Sequence, residues 1–183
     1  MAYNVKDVFF LDETIETTTG AGDGTAILDI SSYIQPVVRK GQKATGLAIY
    51  KVHWDVMDAA SNDAVSPATT GVFRAGIFSD LGLPASAIGS GSFTNDTLRV
   101  TNDLAVSIID WWGGGTAAGD PHPKVWLEPS PEVPYVVVRD TVGLYCSVST
   151  ATSISLLVGV RLECAQITLD MATLNQLLRT QTV

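Results

Sequence analysis

The segment from Ile154 to Gln166 reads ISLLVGVRLECAQ and indicates the fold class more clearly than any other part of the chain. Apolar and polar side chains alternate along it with a period of two, which is typical of a strand that buries one face and leaves the other in water. The segment therefore predicts a half-buried strand of a β-sandwich. The apolar face carries Ile154, Leu156, Val158, Val160, Leu162 and Cys164, and the other face carries Ser155, Leu157, Gly159, Arg161 and Glu163.

Similar segments, rich in Thr, Val, Ile and Tyr, precede this strand at short spacing. Glycine-rich and proline-rich turns separate them, and residues 111–123 are predicted as a Gly-rich loop. The expected fold is all-β, a two-sheet antiparallel sandwich of about 8–10 strands in a single domain. The predicted strands are 8–18, 25–30, 44–57, 71–79, 97–101, 104–110, 124–127, 135–139, 142–149 and 154–166.

Two finer predictions concern side-chain directions in these strands. In the strand 44–57, the residues Ala48, Tyr50, Val52, Trp54 and Val56 are expected on one face and Lys51, His53 and Asp55 on a wet face. The last two strands are expected to form a hairpin, with Cys146 opposite Leu156 and Leu144 opposite Val158. That register places Cys146 far from Cys164, so both thiols are expected to be reduced.

The segment 169–179 is the one predicted helix, a short C-terminal one. Met171, Leu174, Leu177 and Leu178 fall on one face, and Thr168 is the expected N-cap. The helix either packs back on its own sandwich or docks on a neighbour.

The composition argues against several classes of protein. The net charge is −8, the basic residues are scattered, and residues 1–24 are acidic, so direct nucleic-acid binding is not expected. No apolar run is long enough for membrane insertion. The start from Met1 to Asp7 lacks the apolar core of a signal peptide, which predicts synthesis in the cytoplasm. These first residues are expected to form an arm that orders only on a neighbour.

No constellation of residues has the spacing of an active site. His53 with Asp55 could mimic a base and its orienting carboxylate, but an exposed polar strand face explains them equally well. Asp110, Asp120 and His122 are poorly spaced for a metal. The chain is therefore expected not to be an enzyme and to have no catalytic residue, cofactor or metal.

Three tryptophans, Trp111, Trp112 and Trp126, surround the Gly-rich loop. They can cap the open end of the sandwich, contact another subunit or stack on a sugar. Since neighbouring side chains of an extended chain alternate sides, Trp111 and Trp112 cannot both point inward. One of the two is expected on the surface or against a partner.

The order of these segments resembles the small single-jelly-roll capsid proteins of non-enveloped viruses. The stretches that carry the resemblance are 25–30 followed by 31–34, the strand 46–56, and above all 156–163 continuing through 169–178. The resemblance implies a jelly-roll sandwich, with residues 1–24 as an N-terminal arm and first strand region and residues 25–183 as the jelly-roll domain. The missing basic arm departs from many members of that family.

The resemblance implies a structural virion protein, a capsid subunit that self-assembles into a shell. Its partners would be copies of itself and other virion proteins, and its location the virion. The alternative is a carbohydrate-binding or receptor-binding β-sandwich module, lectin-like or a phage fibre or decoration domain, that uses the Trp111–Trp112 loop. The candidate subunit-interface residues are Tyr3, Phe9, Phe10, Trp111, Trp112, Leu177 and Leu178.

Overall fold

A computed structural model describes residues 6–17, 19–20, 22–35, 43–66, 68–79, 98–113 and 122–181. Tyr3 and the rest of the predicted arm up to Val5 lie outside this range. In the described residues the chain forms nine strands and one α-helix. They are β1 (Lys6–Glu16), β2 (Gly22–Asp29), β3 (Ala44–Asp58), β4 (Val72–Phe78), β5 (Ala105–Trp112), β6 (His122–Leu127), β7 (Tyr135–Val137), β8 (Thr141–Thr150), β9 (Leu156–Leu169) and α1 (Met171–Thr180), with a 3₁₀ turn at Ser31–Tyr33.

The strands form two antiparallel sheets. The first sheet has the order β1-β9-β3-β7 and the second has the order β2-β8-β4-β5-β6. β4 pairs with β5, β3 with β7, β2 with β8 and β1 with β9. The chain is thus one long antiparallel hairpin whose successive strand pairs fall alternately into the two sheets, with β6 added beside β5. This arrangement is the jelly roll, and the predicted all-β sandwich with a short C-terminal helix is confirmed.

The core lies between the two sheets. Burying each large apolar side chain contributes about 1.5–3 kcal/mol. A polar link crosses the core: the Trp54 indole donates to Ser107 Oγ at 2.9 Å, and Ser107 in turn donates to the Leu127 carbonyl at 2.9 Å. The largest fully buried side chains of this core are Phe73, Ile30, Leu47, Ile49, Ile77, Ile109, Leu144, Leu156 and Leu162, whereas the buried Tyr145, Phe78 and Ile108 pack in a separate cluster with Leu98 and Leu104.

A β-bulge in β3 corrects the predicted face of that strand. The pairing with β9 shifts between Ile49 and Lys51. The extra residue reverses the alternation, so Val52 faces the core between the sheets, whereas Ala48 and Tyr50 pack in a separate cluster on the outer face of the first sheet. The prediction that Ala48 and Tyr50 share a face with Val52 is therefore wrong.

The predicted hairpin of the last two strands is also wrong. β8 pairs with β2 and β4 in the second sheet, and β9 pairs with β1 and β3 in the first. In this jelly roll the chain crosses from the second sheet to the first between β8 and β9, so the two strands do not pair as a hairpin. Cys146 and Cys164 are nevertheless free and buried, and burial raises the pKa of each thiol to about 12.

Several element boundaries differ from the predictions. Residues 98–101, part of a predicted strand, form turns. In the segment 111–123 that was predicted as a loop, Trp111 and Trp112 belong to β5 and His122 and Pro123 belong to β6. Lys6 and Asp7 belong to β1 rather than to an arm. The helix is capped by Asp170, whose carboxylate accepts from the Thr173 amide at 2.7 Å, and not by Thr168, which belongs to β9.

Helix α1 packs back on its own sandwich. Leu174 is buried, and Leu177 and Leu178 are half-buried against the outer face of the first sheet. The apolar patch that α1 covers consists of Ala44, Ala48, Val138, Ile167 and Leu169.

In the described part of the chain, no helix is long and apolar enough to cross a membrane.

Candidate interaction surface

The adjacent tryptophans of β5 lie on opposite faces of the second sheet. Trp111 is 2% exposed and stacks on Phe73 inside the sandwich, with ring centroids 5.4 Å apart. Trp112 is 36% exposed on the outer face. The prediction that one indole points inward and the other lies on the surface is confirmed, because strand geometry sends neighbouring side chains to opposite sides.

The outer face of β4, β5 and β6 places two tryptophans beside a row of charges. Arg74 of β4 is opposite Asp110 of β5, and Asp110 is opposite Lys124 of β6. Trp126 of β6 is 49% exposed, more than any other aromatic side chain on this face. We call this surface the tryptophan face; it comprises Val72, Arg74, Asp110, Trp112, Lys124 and Trp126.

Asp110 organises the tryptophan face. Its carboxylate accepts from Arg74 Nε, from Arg74 Nη2 at 2.6 Å and from the Trp126 indole at 2.6 Å. The Lys124 ammonium lies 3.5 Å from the centre of the Trp126 ring, a cation–π contact. Arg74 also donates to the Leu98 carbonyl at 3.2 Å. The exposed Trp126 is therefore held in one orientation from both its polar edge and its face.

The same contacts shift two pKa values. Burial alone would raise the pKa of Asp110, but hydrogen bonds from Arg74 and Trp126, with the nearby positive charges, outweigh it and lower the pKa below its usual value. The hydrogen bond to Asp110 raises the pKa of Arg74. Because the pKa of Asp110 is lower in the folded state, its contribution to stability is present above the unfolded-state pKa and is lost as the pH falls through the folded-state pKa.

We expect Asp110→Asn to lower the free energy of unfolding by about 1 kcal/mol at pH 7, a modest value because Arg74 is partly exposed to water. The difference from the unaltered protein should shrink below about pH 4, where the carboxyl is protonated in the unfolded chain. Denaturant unfolding at pH 7 and pH 3 measures both values. An equal difference at the two pH values would contradict the role of the carboxylate charge.

A depression of about 300 Å³ lies beside Trp112. Its wall combines an indole with the Arg74–Asp110 pair and the hydroxyl groups of Ser147 and Ser149. Aromatic and hydrogen-bonding groups side by side are what a small polar ligand requires. This combination suits a small polar ligand such as a sugar.

The outer face of the first sheet carries a second depression, of about 710 Å³, where α1 does not cover it. His53 and Asp55 line it, and His53 Nε2 lies 3.7 Å from a Glu163 carboxylate oxygen. Arg161 donates to Asp12 at 2.6 Å and lies 5.8 Å from the Phe10 ring. These polar side chains pair with one another across strands, as on a solvated sheet face.

The three residues considered as metal ligands in the sequence analysis are not shown to form a common site. Asp110 is engaged by Arg74 and Trp126, Asp120 lies outside the described residues, and His122 belongs to edge strand β6. Within the described ranges, no group of three His, Cys, Asp or Glu side chains is placed to hold a metal ion.

The predicted interface residues differ widely in accessibility. Phe10 is 55% exposed, whereas Phe9 is half-buried and stacks on Tyr33, with the ring centroids 4.8 Å apart. Leu177 and Leu178 contact the chain's own sheet through α1. Among the members of the set that the structure describes, Phe10 and Trp112 are the exposed ones, and their role in a subunit contact stays a prediction.

Sequence reasoning assigned no role to Arg74 or Lys124, and it named Trp126 only as one of three tryptophans around the Gly-rich loop. Arg74 and Asp110 are far apart in the chain, and only the pairing of β4 with β5 brings them together. For Trp126, a signal was available: its spacing of two from Lys124 places both on one strand face.

The strand pairings define the chain as a jelly-roll β-sandwich, the fold that the sequence analysis predicted. Among solved structures, the chain is similar to the VP1 protein of Merkel cell polyomavirus, in its unassembled pentamer, with a TM-score of 0.43 and 8% sequence identity over 93% of this chain and 99% of that chain. No protein-family model matches the chain, and no curated protein sequence matches it.

Proposed function

We propose that this chain is a structural virion protein, a capsid subunit that assembles with copies of itself. The observation that carries the proposal is the tryptophan face. Trp112 and Trp126 are 36% and 49% exposed, and Val72 on the same face is 40% exposed. Large aromatic side chains held rigidly at a surface are the typical anchors of protein–protein contacts.

The anchoring of Trp126 supports a contact function over a chance exposure. Its indole is oriented by Asp110 and covered on one side by Lys124. A side chain that is already ordered loses less conformational entropy when a partner covers it. Such a subunit is expected in the virion after synthesis in the host cytoplasm, with other virion proteins as further partners.

Changing Trp112 and Trp126 together to Ser tests the proposal. Each substitution should weaken self-association by about 30-fold, the equivalent of about 2 kcal/mol for an interface anchor, so we expect the double variant to lose at least that much. Sedimentation velocity and negative-stain microscopy would show smaller species. Met171→Ser, which removes an apolar side chain that is 49% exposed on α1, is the control and should assemble normally. Unchanged assembly of the double variant would contradict the proposal.

A carbohydrate-binding module is the second candidate, favoured by the depression beside Trp112 with its Arg74–Asp110 pair and two serines. In that case the unaltered protein should remain monomeric and bind immobilised glycans. Trp112→Ser should then abolish glycan retention, since the stacking surface is lost.

A further inference from the structure

Gln181, the residue after α1, inserts its side-chain amide against the end of β7. The residue is 3% exposed. Its Oε1 accepts from the Val138 backbone amide at 3.2 Å, and its Nε2 donates to the Val136 carbonyl at 2.6 Å. One side chain therefore satisfies two backbone groups that lie two residues apart.

Among the strands of the described chain, β7 is the last in the first sheet. An edge strand presents N–H and C=O groups that can pair with another strand. The carbonyl of one residue and the amide two residues later are the pair of groups that a neighbouring strand engages. The side-chain amide of Gln181 thus occupies the position that a residue of an added strand would take.

Two further contacts hold Gln181 in this position. Arg139 donates from Nε and Nη2 to the Gln181 backbone carbonyl at 3.1 and 2.9 Å. The backbone amide of Gln181 donates to the Leu177 carbonyl at 2.9 Å and so closes the last turn of α1. The helix in turn is seated on the outer face of the first sheet by the buried Leu174.

We propose that the outer edge of β7 is a strand-pairing site for a second copy of this chain, and that Gln181 is the plug that closes it. The pattern of groups is complementary to itself. In an antiparallel pair centred on Val137 of both copies, the Val136 carbonyl of each accepts from the Val138 amide of the other. The two groups that Gln181 satisfies would thus satisfy each other across a two-fold axis. This inference concerns a different surface from the tryptophan face and does not depend on it.

The test uses Gln181→Ala in the full chain that also carries Trp112→Ser and Trp126→Ser, so that contacts of the tryptophan face are removed. We expect the self-association constant of this triple variant to be at least about tenfold higher than that of the chain with Trp112→Ser and Trp126→Ser alone. Gln176→Ala, which changes an exposed glutamine of the same helix, is the matched control and should have no effect.

Hydrogen exchange of the Val138 amide locates the association. In the Gln181→Ala chain the amide should exchange rapidly at about 1 µM and become protected at about 100 µM, where the second copy replaces the plug. Association without protection of Val138, or an amide that exchanges rapidly at both concentrations, would overturn the proposal. Either result leaves the test of the tryptophan face unaffected, because that test reads the assembly of the chain with Gln181 intact.

Gln181→Glu provides a second variant in case the alanine variant unfolds. At pH 7 a glutamate carboxylate cannot donate to the Val136 carbonyl, so the edge should open and the chain should self-associate. At about pH 4 a protonated carboxyl can donate again, so the association should be reduced at least about tenfold. Association that is equal at both pH values would count against the plug.

Discussion

Phe73→Ala is expected to lower the free energy of unfolding by about 3–5 kcal/mol, the usual cost of deleting a buried aromatic side chain. Phe73 is fully buried in the core between the sheets and stacks on Trp111. Its removal leaves a cavity and also ends the ring contact, which itself contributes about 0.5–1.5 kcal/mol. This loss is a large fraction of the stability of an ordinary domain, about 5–15 kcal/mol.

Chemical denaturation measures this effect directly. Phe10→Ala is the matched control, because the same side chain is deleted where it is 55% exposed, on the outer face of the first sheet. The control should change the free energy of unfolding by no more than about 0.5 kcal/mol. Equal losses for the two variants would show that Phe73 is not a core residue.

The second large effect is expected for Gly113→Ala. A Cβ atom at this position would lie 2.0 Å from the Thr69 carbonyl oxygen and 3.1 Å from Thr70 Cα. Both are backbone atoms, so the clash can be relieved only by moving the chain. The Gly113 amide donates to the Gly71 carbonyl at 2.9 Å, and this hydrogen bond joins the end of β5 to the segment before β4. We expect a loss of at least about 2 kcal/mol.

Gly159→Ala is the control for this substitution. Its Cβ would meet no atom closer than 3.7 Å, on an open part of β9. The replacement should leave the melting temperature unchanged or raise it slightly, because alanine restricts the unfolded chain more than glycine does. A melting temperature for Gly113→Ala as high as that of Gly159→Ala would contradict the close approach of the two segments.

The strand β9 was predictable up to Cys164 because one of its faces is buried between the two sheets and the other face is not. Leu156, Val158, Val160, Leu162 and Cys164 are buried in the core between the sheets, as the alternation indicates. Beyond Cys164 the pattern is different: Ile167 and Leu169 point to the outer face, where α1 covers them. A period-two pattern predicts which face of a strand is buried. It does not predict that a helix covers part of the other face of the same strand.

The tryptophan face was only half predictable. That Trp111 and Trp112 point to opposite sides follows from the local geometry of an extended chain. Which one is buried depends on Phe73, a residue of another strand. The anchoring of Trp126 depends on Asp110 in the same way, through the pairing of β5 with β6.

The amino-acid sequence by itself determined the fold class, the single helix and the two-sided character of each long strand, because these follow from local periodicity and side-chain volume. Tertiary structure alone decided which strands pair. The chain places β8 and β9 in different sheets, inserts a bulge at Tyr50 that reverses the faces of β3, and carries Gln181 to the edge of β7. Pairing between distant segments depends on the packing of both sheets at once, and a local pattern fits several such pairings equally well.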